Sequence, residues 1–285
     1  MFRRVLVLLA LSCLVAALAE AQPATSATAQ PLNVMTFNIR YGTAQDGDDQ
    51  WTKRREQLFA LLRERRPDVI GLQEALDFQI DEIVAAVPGY AYVGVGRSDG
   101  KRKGEYAAIL YRAARLSARR SDTFWFSDTP TVPGSTSWGN RIERICTWAY
   151  FEDRDGAPFY VFNVHLDHES QPSRERSAAL LLERVKARTP SAPAIVTGDF
   201  NAGEQNAAIA TMRRAVRDTF RERSPNATDV GTFTAFKLGA TAGDKIDYVF
   251  VSEGVEVLDA GIVRSSQGGR YPSDHFPVTA LVRVQ

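Results

Sequence analysis

The chain has 285 residues, 44% of them hydrophobic, with 35 basic and 34 acidic side chains. Its length and apolar content suffice for one large α/β core, whereas the near balance of charge excludes a surface that grips polyanions by bulk charge alone. Two cysteines, one of them at position 13 near the N-terminus, exclude a disulfide framework.

Arg3 and Arg4 precede the apolar run from Val5 to Leu18, and Ala19-Glu20-Ala21 has the small-x-small form of a signal-peptidase site. The run is short for a membrane span. The expectation is therefore a signal peptide over residues 1–21, export to the periplasm or beyond, and no stable membrane insertion after cleavage. Removing Arg3, Arg4 and Glu20 leaves equal numbers of basic and acidic residues. Residues 22–31, rich in Ala, Thr, Ser, Gln and Pro, read as a flexible leader. A single domain over 32–285 follows, with no internal repeat and no linker long enough to divide it.

Leu32 to Asn38 alternates as a strand, with Met35, Phe37 and Ile39 on one face and Thr36, Asn38 and Arg40 on the other. A Gly/Asp-rich loop leads to a helix carrying Trp51, Leu58, Leu61 and Leu62, which Pro67 closes. Asp68 to Glu74 is again a short apolar strand ending in an amide and a carboxylate, and oxygen ligands such as Asn38 and Glu74 on neighbouring strand ends are the kind magnesium takes. A helix over Asp77–Ala86 and strands at Tyr90–Val95 and Gly104–Tyr111 come next, separated by a charged loop, Arg97 to Lys103, that reads as solvated surface.

Thr123 to Trp148 concentrates Phe124, Trp125, Phe126, Trp138 and Trp148 among prolines without helical period, and reads as a long loop entering a strand at about Arg144 to Phe151. Its aromatics would either cover a sheet edge or wall a substrate site. Within that strand Cys146 has the setting of a buried, inert thiol. On the strand Pro158–Leu166, Asn163, His165 and Asp167 share one face. A helix starts at Pro172-Ser173 and buries Ala178, Leu181, Leu182 and Val185.

Ala194 to Asn201 is an apolar run ending in Gly198-Asp199-Phe200-Asn201, which places the carboxylate of Asp199 and the amide of Asn201 on one side of a strand tip. A helix over Asn206–Val216, an irregular region to Gly243, and strands at Ile246–Val251, Val255–Val263 and Pro277–Val284 complete the chain. Strands alternating with helices early and strand-rich connections later predict α/β layers with mixed sheets. All three histidines fall in strand-end clusters of this kind, where isolated Asp or Asn residues would be mere turns.

Taken in order, Thr36-Phe-Asn-Ile-Arg40, Leu72-Gln-Glu74, Gly104-Glu-Tyr106, Asn163-Val-His-Leu-Asp167, Gly198-Asp-Phe-Asn201, Ile246-Asp-Tyr248 and Ser273-Asp-His275 resemble the signature of the endonuclease/exonuclease/phosphatase superfamily. The resemblance spans Asn33 to Val284. It implies a four-layer α-β-β-α sandwich with two mixed β-sheets and a magnesium-dependent (or manganese-dependent) phosphoester hydrolase. By this likeness Asn38 and Glu74 would bind the ion, with Asp274 supporting it or a second one. Glu105 would orient His165 toward a phosphoryl oxygen, Asn201 would hold water or phosphate, and Asp247 would polarise His275. The base stays open between Asp199 and His275. The residues also suit Arg144, His168 and Trp138 as substrate contacts. A phosphodiesterase or nuclease is the expected activity, so nucleic acid is one candidate partner. A phosphatase or sphingomyelinase-like hydrolase is the alternative, and a non-catalytic binding module the reading from another class. No partner protein can be inferred.

Overall fold

The computed structural model describes residues 30–154 and 158–285; the expected signal peptide and residues 22–29 of the expected leader lie outside them. In chain order the elements are β1 (Leu32–Asn38), α1 (Trp51–Arg65), β2 (Val69–Gln73), α2 (Asp77–Ala86), β3 (Tyr90–Val93), β4 (Ile109–Arg112) and β5 (Leu116–Trp125). There follow β6 (Ile145–Asp153), β7 (Pro158–His165), α3 (Gln171–Lys186), β8 (Ala194–Asp199), α4 (Ala207–Met212), β9 (Arg217–Asp218), α5 (Thr219–Arg223), β10 (Asp247–Val251), β11 (Val255–Ile262) and β12 (Val278–Val284).

The strands form two six-stranded sheets, ordered β11-β12-β1-β2-β4-β3 and β5-β6-β7-β8-β10-β9. Each sheet is mixed in the same way. One parallel pair, β1 with β2 or β7 with β8, sits inside antiparallel neighbours. A parallel pair needs a crossover, here made by α1 and α3 on the outer faces. The four-layer sandwich is thus present, with apolar side chains filling three interfaces. Met35, Leu58, Leu62 and Ile80 pack beneath α1 and α2; Val34, Phe159, Val249 and Val282 lie between the sheets; Leu181, Val185, Val196 and Ile209 lie beneath α3 and α4.

Local chemistry sets the helix limits. Arg66 takes a left-handed φ of 45° after α1 and its N–H reaches Leu62 O, with Pro67 preventing continuation. Ser170 caps α3 by accepting from Ser173 N, and Pro172 stands where its missing N–H costs nothing. The buried face of α3 contains Ala178, Leu181, Leu182 and Val185, as its periodicity predicts.

Several boundaries differ from the sequence reading. Thr123–Trp125 is not loop but the end of β5, whose register sets Phe124 opposite Cys146 and Trp125 opposite Ile145. Polar and charged residues from Ser117 to Asp122 hide that strand, because β5 is an edge that keeps charges in water and carries a bulge at Ala118/Arg120. The expected strand from Gly104 begins only at Ile109, since Gly104 turns at φ 85°. The helix expected over 206–216 shrinks to α4, and β9 and α5 follow it unforeseen. Cys146 is free and fully buried, and burial pushes its thiol well above the usual range.

One feature of the sheet-to-sheet interface is polar. Gln73 Nε2 donates to Thr36 Oγ1 at 3.0 Å within its own sheet and to Asn163 Oδ1 at 2.7 Å in the facing one. Asn163 Nδ2 returns to Leu72 O and Ala108 O at 2.8 and 2.9 Å, and Thr197 Oγ1 reaches Asn163 Oδ1 at 2.9 Å. Gly71 makes the approach feasible: a Cβ there would stand 2.2 Å from Thr197 Oγ1 and 2.4 Å from Asn163 Oδ1. Gly71→Ala is therefore expected to lower the unfolding free energy by about 1–3 kcal/mol, as overpacking does, and to cut activity by tilting the strand ends. Urea denaturation and turnover of the same preparation check this; unchanged stability would mean that the sheets do not depend on this close approach.

Candidate active site

Because β1 and β2 run parallel, and β7 and β8 do likewise, the four strands deliver their C-terminal ends to one edge of the sandwich, where open α/β sheets characteristically place ligands. Asn38 ends β1, Glu74 follows β2, His165 ends β7 and Asp199 ends β8. Asp247 opens β10 directly opposite Asp199 in the antiparallel register. His275 arrives from the segment before β12 and is fixed by a bridge to Phe233. These residues meet in a cleft of about 650 Å³ whose lining includes Glu74, Glu105, His165, Asp199, Asn201, Asp274 and His275.

Asp199 is the hub. Its Oδ2 accepts from Asn38 Nδ2 at 3.0 Å, and lies 3.6 Å from His165 Nε2 and 3.8 Å from His275 Nε2. Its Oδ1 accepts from the backbone N–H of Asn201 at 2.8 Å. Asn201 sits at φ 47°, a left-handed bend that turns the chain back beneath the carboxylate while its side chain donates to Leu166 O. Asn38 Nδ2 also donates to Glu74 Oε1 at 2.9 Å, and Glu74 Oε2 accepts from Tyr41 N at 3.2 Å. Glu74 is at φ 61°, uncommon for a non-glycine residue and characteristic of functional sites.

Burial, reinforced by the charge of Asp247, pushes the Asp199 carboxyl up to about 7; His275 and the Asn38 hydrogen bond pull the other way. Burial opposes charge on His275 as well, but Asp247 and Asp199 outweigh it and raise its pKa well above the usual value. His275 Nδ1 is 2.9 Å from Asp247 Oδ2. His165 is the contrary case: burial, then the cations Arg144 and Arg97, drive its pKa well down. Two imidazoles thus flank one carboxylate oxygen with pKa values pushed in opposite directions, the pattern that separates a proton donor from a neutral hydrogen-bonding group.

Other expected residues take different partners. Glu105 does not hydrogen-bond His165; its Oε2 stands 3.9 Å from Nδ1, because Arg97 holds both carboxylate oxygens at 2.7 Å. Asp274 accepts from Ser273 Oγ at 3.2 Å and has Arg40 Nε at 3.8 Å. Arg144 and His168 line the cleft together, Arg144 reaching His168 Nδ1 at 2.7 Å and Asp167 Oδ2 at 3.3 Å. Trp138 does not line it: its indole donates to Asp128 at 2.8 Å and packs beside Arg176, so the aromatic segment braces the scaffold rather than walling the site.

The sequence reading missed Arg97, Phe233 and Phe236, all of which face the cleft. Arg97 lay in a charged loop typical of surface, and only its pairing with Glu105 could have marked it. Phe233 and Phe236 lay in an irregular region, where two aromatics within an otherwise polar stretch were the available sign. A further buried group, Arg54, donates to Ile39 O, Arg40 O, Asp49 O and Pro272 O, clamping the loops beside Asn38 and Asp274.

The donor chemistry fits a hard divalent cation. Asn38, Glu74 and Asp274 offer only oxygens apart from the amide nitrogen, and burial pushes the Asp274 carboxyl up, a penalty that a cation would relieve. Asp199, Asp247 and His275 also bring donor atoms within 4.8 Å of one another. Their His275–Asp247 pair favours a retained proton over metal ligation.

The profile of the Endonuclease/Exonuclease/phosphatase family matches residues 35–275. An endonuclease/exonuclease/phosphatase family protein from Bacteroides thetaiotaomicron has a similar structure, with a TM-score of 0.84 and 33% identity, covering 90% of this chain and 99% of that one. A mannosyl-6-phosphatase from the same species gives 0.82 and 34%, covering 88% and 99%. In sequence, an uncharacterised protein of Acanthamoeba polyphaga mimivirus is 30% identical over 187 residues, 61% of this chain and 68% of its own length. The human nocturnin catalytic domain, at 19% identity and a TM-score of 0.71, shares the fold. With the profile running from β1 through His275, and two imidazoles and a ring of carboxylates gathered at the strand ends it spans, the chain belongs to the endonuclease/exonuclease/phosphatase family of hydrolases.

Proposed function

We propose that this protein is an exported, divalent-metal-dependent phosphatase that hydrolyses a small polar phosphomonoester, a sugar phosphate in particular. The observation that carries the phosphoester chemistry is the convergence of His165, His275 and Asn38 on one buried carboxylate, Asp199. The relative at 34% identity that is a mannosyl-6-phosphatase supports the substrate class. So does the cleft, which confines guanidinium groups of Arg97 and Arg144 within about 650 Å³ rather than spreading them in a stripe. The signal-like N-terminus supports export, and among the described residues no helix is long and apolar enough to cross a membrane.

Asn38, Glu74 and Asp274 would hold the ion, which when bound supplies a Lewis acid to a phosphoryl oxygen. Asp199 accepts the proton of the attacking water, since pairing with Asp247 raises the pKa of His275 and suits it to donate rather than accept. His275, held by Asp247, donates to the phosphoryl group. His165, which makes no hydrogen bond to Asp199 or Glu105, offers a ring N–H to an equatorial oxygen, and the backbone N–H of Asn201 keeps the Asp199 carboxylate aimed. Arg97 and Arg144 oppose the charge of a dianionic monoester.

A phosphodiesterase reading keeps one specific support: Phe233 is 48% exposed at the mouth of the cleft, offering a ring on which a base could stack. Mannose 6-phosphate, bis(p-nitrophenyl) phosphate and single-stranded DNA, each with and without chelator, decide between the two. The monoester is expected to turn over fastest and chelator to abolish it; preferential cleavage of DNA would reverse the assignment. Asp199→Asn and His275→Ala should each lower kcat by about 10²–10⁴-fold.

The raised pKa of Asp199 also acts on stability. A carboxyl whose folded pKa exceeds its unfolded value contributes stability that is complete below the ordinary carboxylate range and lost as pH rises through about 7. In chelator, the unfolding free energy from urea titrations should therefore fall between pH 5 and pH 8, and fall less in Asp199→Asn. An equal fall in both proteins would show that Asp199 is ionised throughout.

A further inference from the structure

We propose a second binding site, on the outer face of the β5–β6–β7 sheet region, for an oligosaccharide that carries one acidic group. Trp148, Tyr160 and Phe162 line a cavity of about 230 Å³, and Arg120, Arg184 and Arg188 surround it with no carboxylate among its walls. None of its lining residues belongs to the catalytic cleft.

Among the described residues the three guanidiniums make no ion pair, and neither do Arg54 and Arg63, which bind carbonyls. Arg40, Arg97, Arg102, Arg115 and Arg221 all pair with acids, whereas Arg120, Arg184 and Arg188 have no acidic partner among the described residues. Arg188 is explained locally, since it donates to Val185 O and Ala192 O and so satisfies carbonyls at the end of α3. Arg120, which comes from β5 and lies over Tyr150 at 5.0 Å, is also engaged locally, donating to Tyr160 Oη at 2.9 Å and to Thr189 O at 2.5 Å. Arg184 is different: its guanidinium lies over the Phe124 ring at 5.5 Å with no hydrogen-bond acceptor among the described residues. The partly buried Trp148 indole N–H likewise has no acceptor among the described residues and is open to a ligand. One guanidinium without an acceptor, two more that add positive charge, and an N–H donor around an aromatic floor with no carboxylate match an anionic ligand with an apolar face.

The neighbouring cavity narrows the class. It measures about 520 Å³, shares Trp148 and Arg184 with the first, and continues past Ser121, Thr131 and the ring of Phe124. Its one other charge is Asp122, which would repel a chain with a phosphate on every unit. A groove with hydroxyl groups and aromatic faces, cationic at one end only, suits pyranose rings whose C–H faces pack on the aromatics and whose single acidic substituent meets Arg184. Trp148 is four residues along β6 from Arg144, about 13 Å at strand spacing, so a glycan held here would stay near the cleft.

Isothermal titration calorimetry on the whole protein tests this, with three probes: a trisaccharide ending in one glucuronate, the same trisaccharide ending in glucose, and a single-stranded DNA oligomer. The uronate is no phosphoester, so its binding is independent of the catalytic reading. The expected result is saturable uronate binding, about tenfold or more tighter than the neutral trisaccharide, weakened about tenfold by Arg184→Ala and abolished by Trp148→Ala. Turnover of mannose 6-phosphate or bis(p-nitrophenyl) phosphate, whichever the wild type cleaves, should be unchanged in Arg184→Ala. Equal affinity for the acidic and neutral sugars, no binding of either, binding of DNA alone, or uronate binding untouched by both substitutions would each overturn the proposal.

Discussion

Two β-sheets pack most simply through apolar faces, yet this sandwich sets a pair of carboxamides, two hydroxyls and a glycine at the middle of its inner interface. The amides of Gln73 and Asn163, with Thr36, Thr197 and the backbone of Gly71, Leu72 and Ala108, cross from one sheet to the other just beneath the strand ends. A buried polar group that loses its partner costs about 1–3 kcal/mol. The arrangement therefore tolerates little sliding of one sheet over the other. Apolar contacts would permit such sliding at small cost, and a slip of an ångström would separate Asn38 and Glu74 on one sheet from Asp199 and His165 on the other. The network converts a packing interface into a fixed register, and the register is what makes a site of residues drawn from both halves.

On that platform the charges are concentrated rather than neutralised pair by pair. Glu74, Asp199, Asp247 and Asp274 approach one another at the strand ends, with His275 as the buried proton carrier between two of them. Asp247 presents Oδ2 to His275 while its Oδ1 has no hydrogen-bond partner among the described residues. Such a group is expensive to bury, and burial is what raises the pKa of Asp199 and Asp274. A structure optimised for stability alone would replace these side chains with apolar ones; retaining them is consistent with a site in which a cation and a phosphate complete the electrostatics. Arg54 and Arg97 serve the same end from outside, one by clamping backbone carbonyls and the other by holding Glu105.

The distribution of aromatic side chains separates support from recognition. Trp125 donates to Arg97 O and Trp138 to Asp128, so both are spent on holding loops in place. Phe233, by contrast, lies edge-on to His275 with its centroid 5.0 Å away and nearly half its surface open. It covers one side of the imidazole and leaves a ring face open to the cleft. On the far side of the second sheet, Trp148 and Arg184 line one cavity outside the catalytic cleft.

The sequence by itself determined the repeated strand tips, the apolar stripe of α3, the stop at Pro67, and the polar residues that end each central strand. These are local matters of period, capping and turn chemistry, written in adjacent residues. It also identified His165, Asp199, Asp247 and His275 as a set, through their ordered motifs. It did not reveal β5, because an edge strand that faces water carries the composition of a loop. Nor could it decide that Glu105 would be held by Arg97 rather than by His165, that Trp138 would turn away, or that Phe233 would cover His275. Those outcomes depend on which side chains from distant segments reach the same few ångströms first. Only the tertiary structure, by fixing the two sheets against each other, decides that competition, since hydrogen-bond partners are chosen by distance and angle rather than by order along the chain.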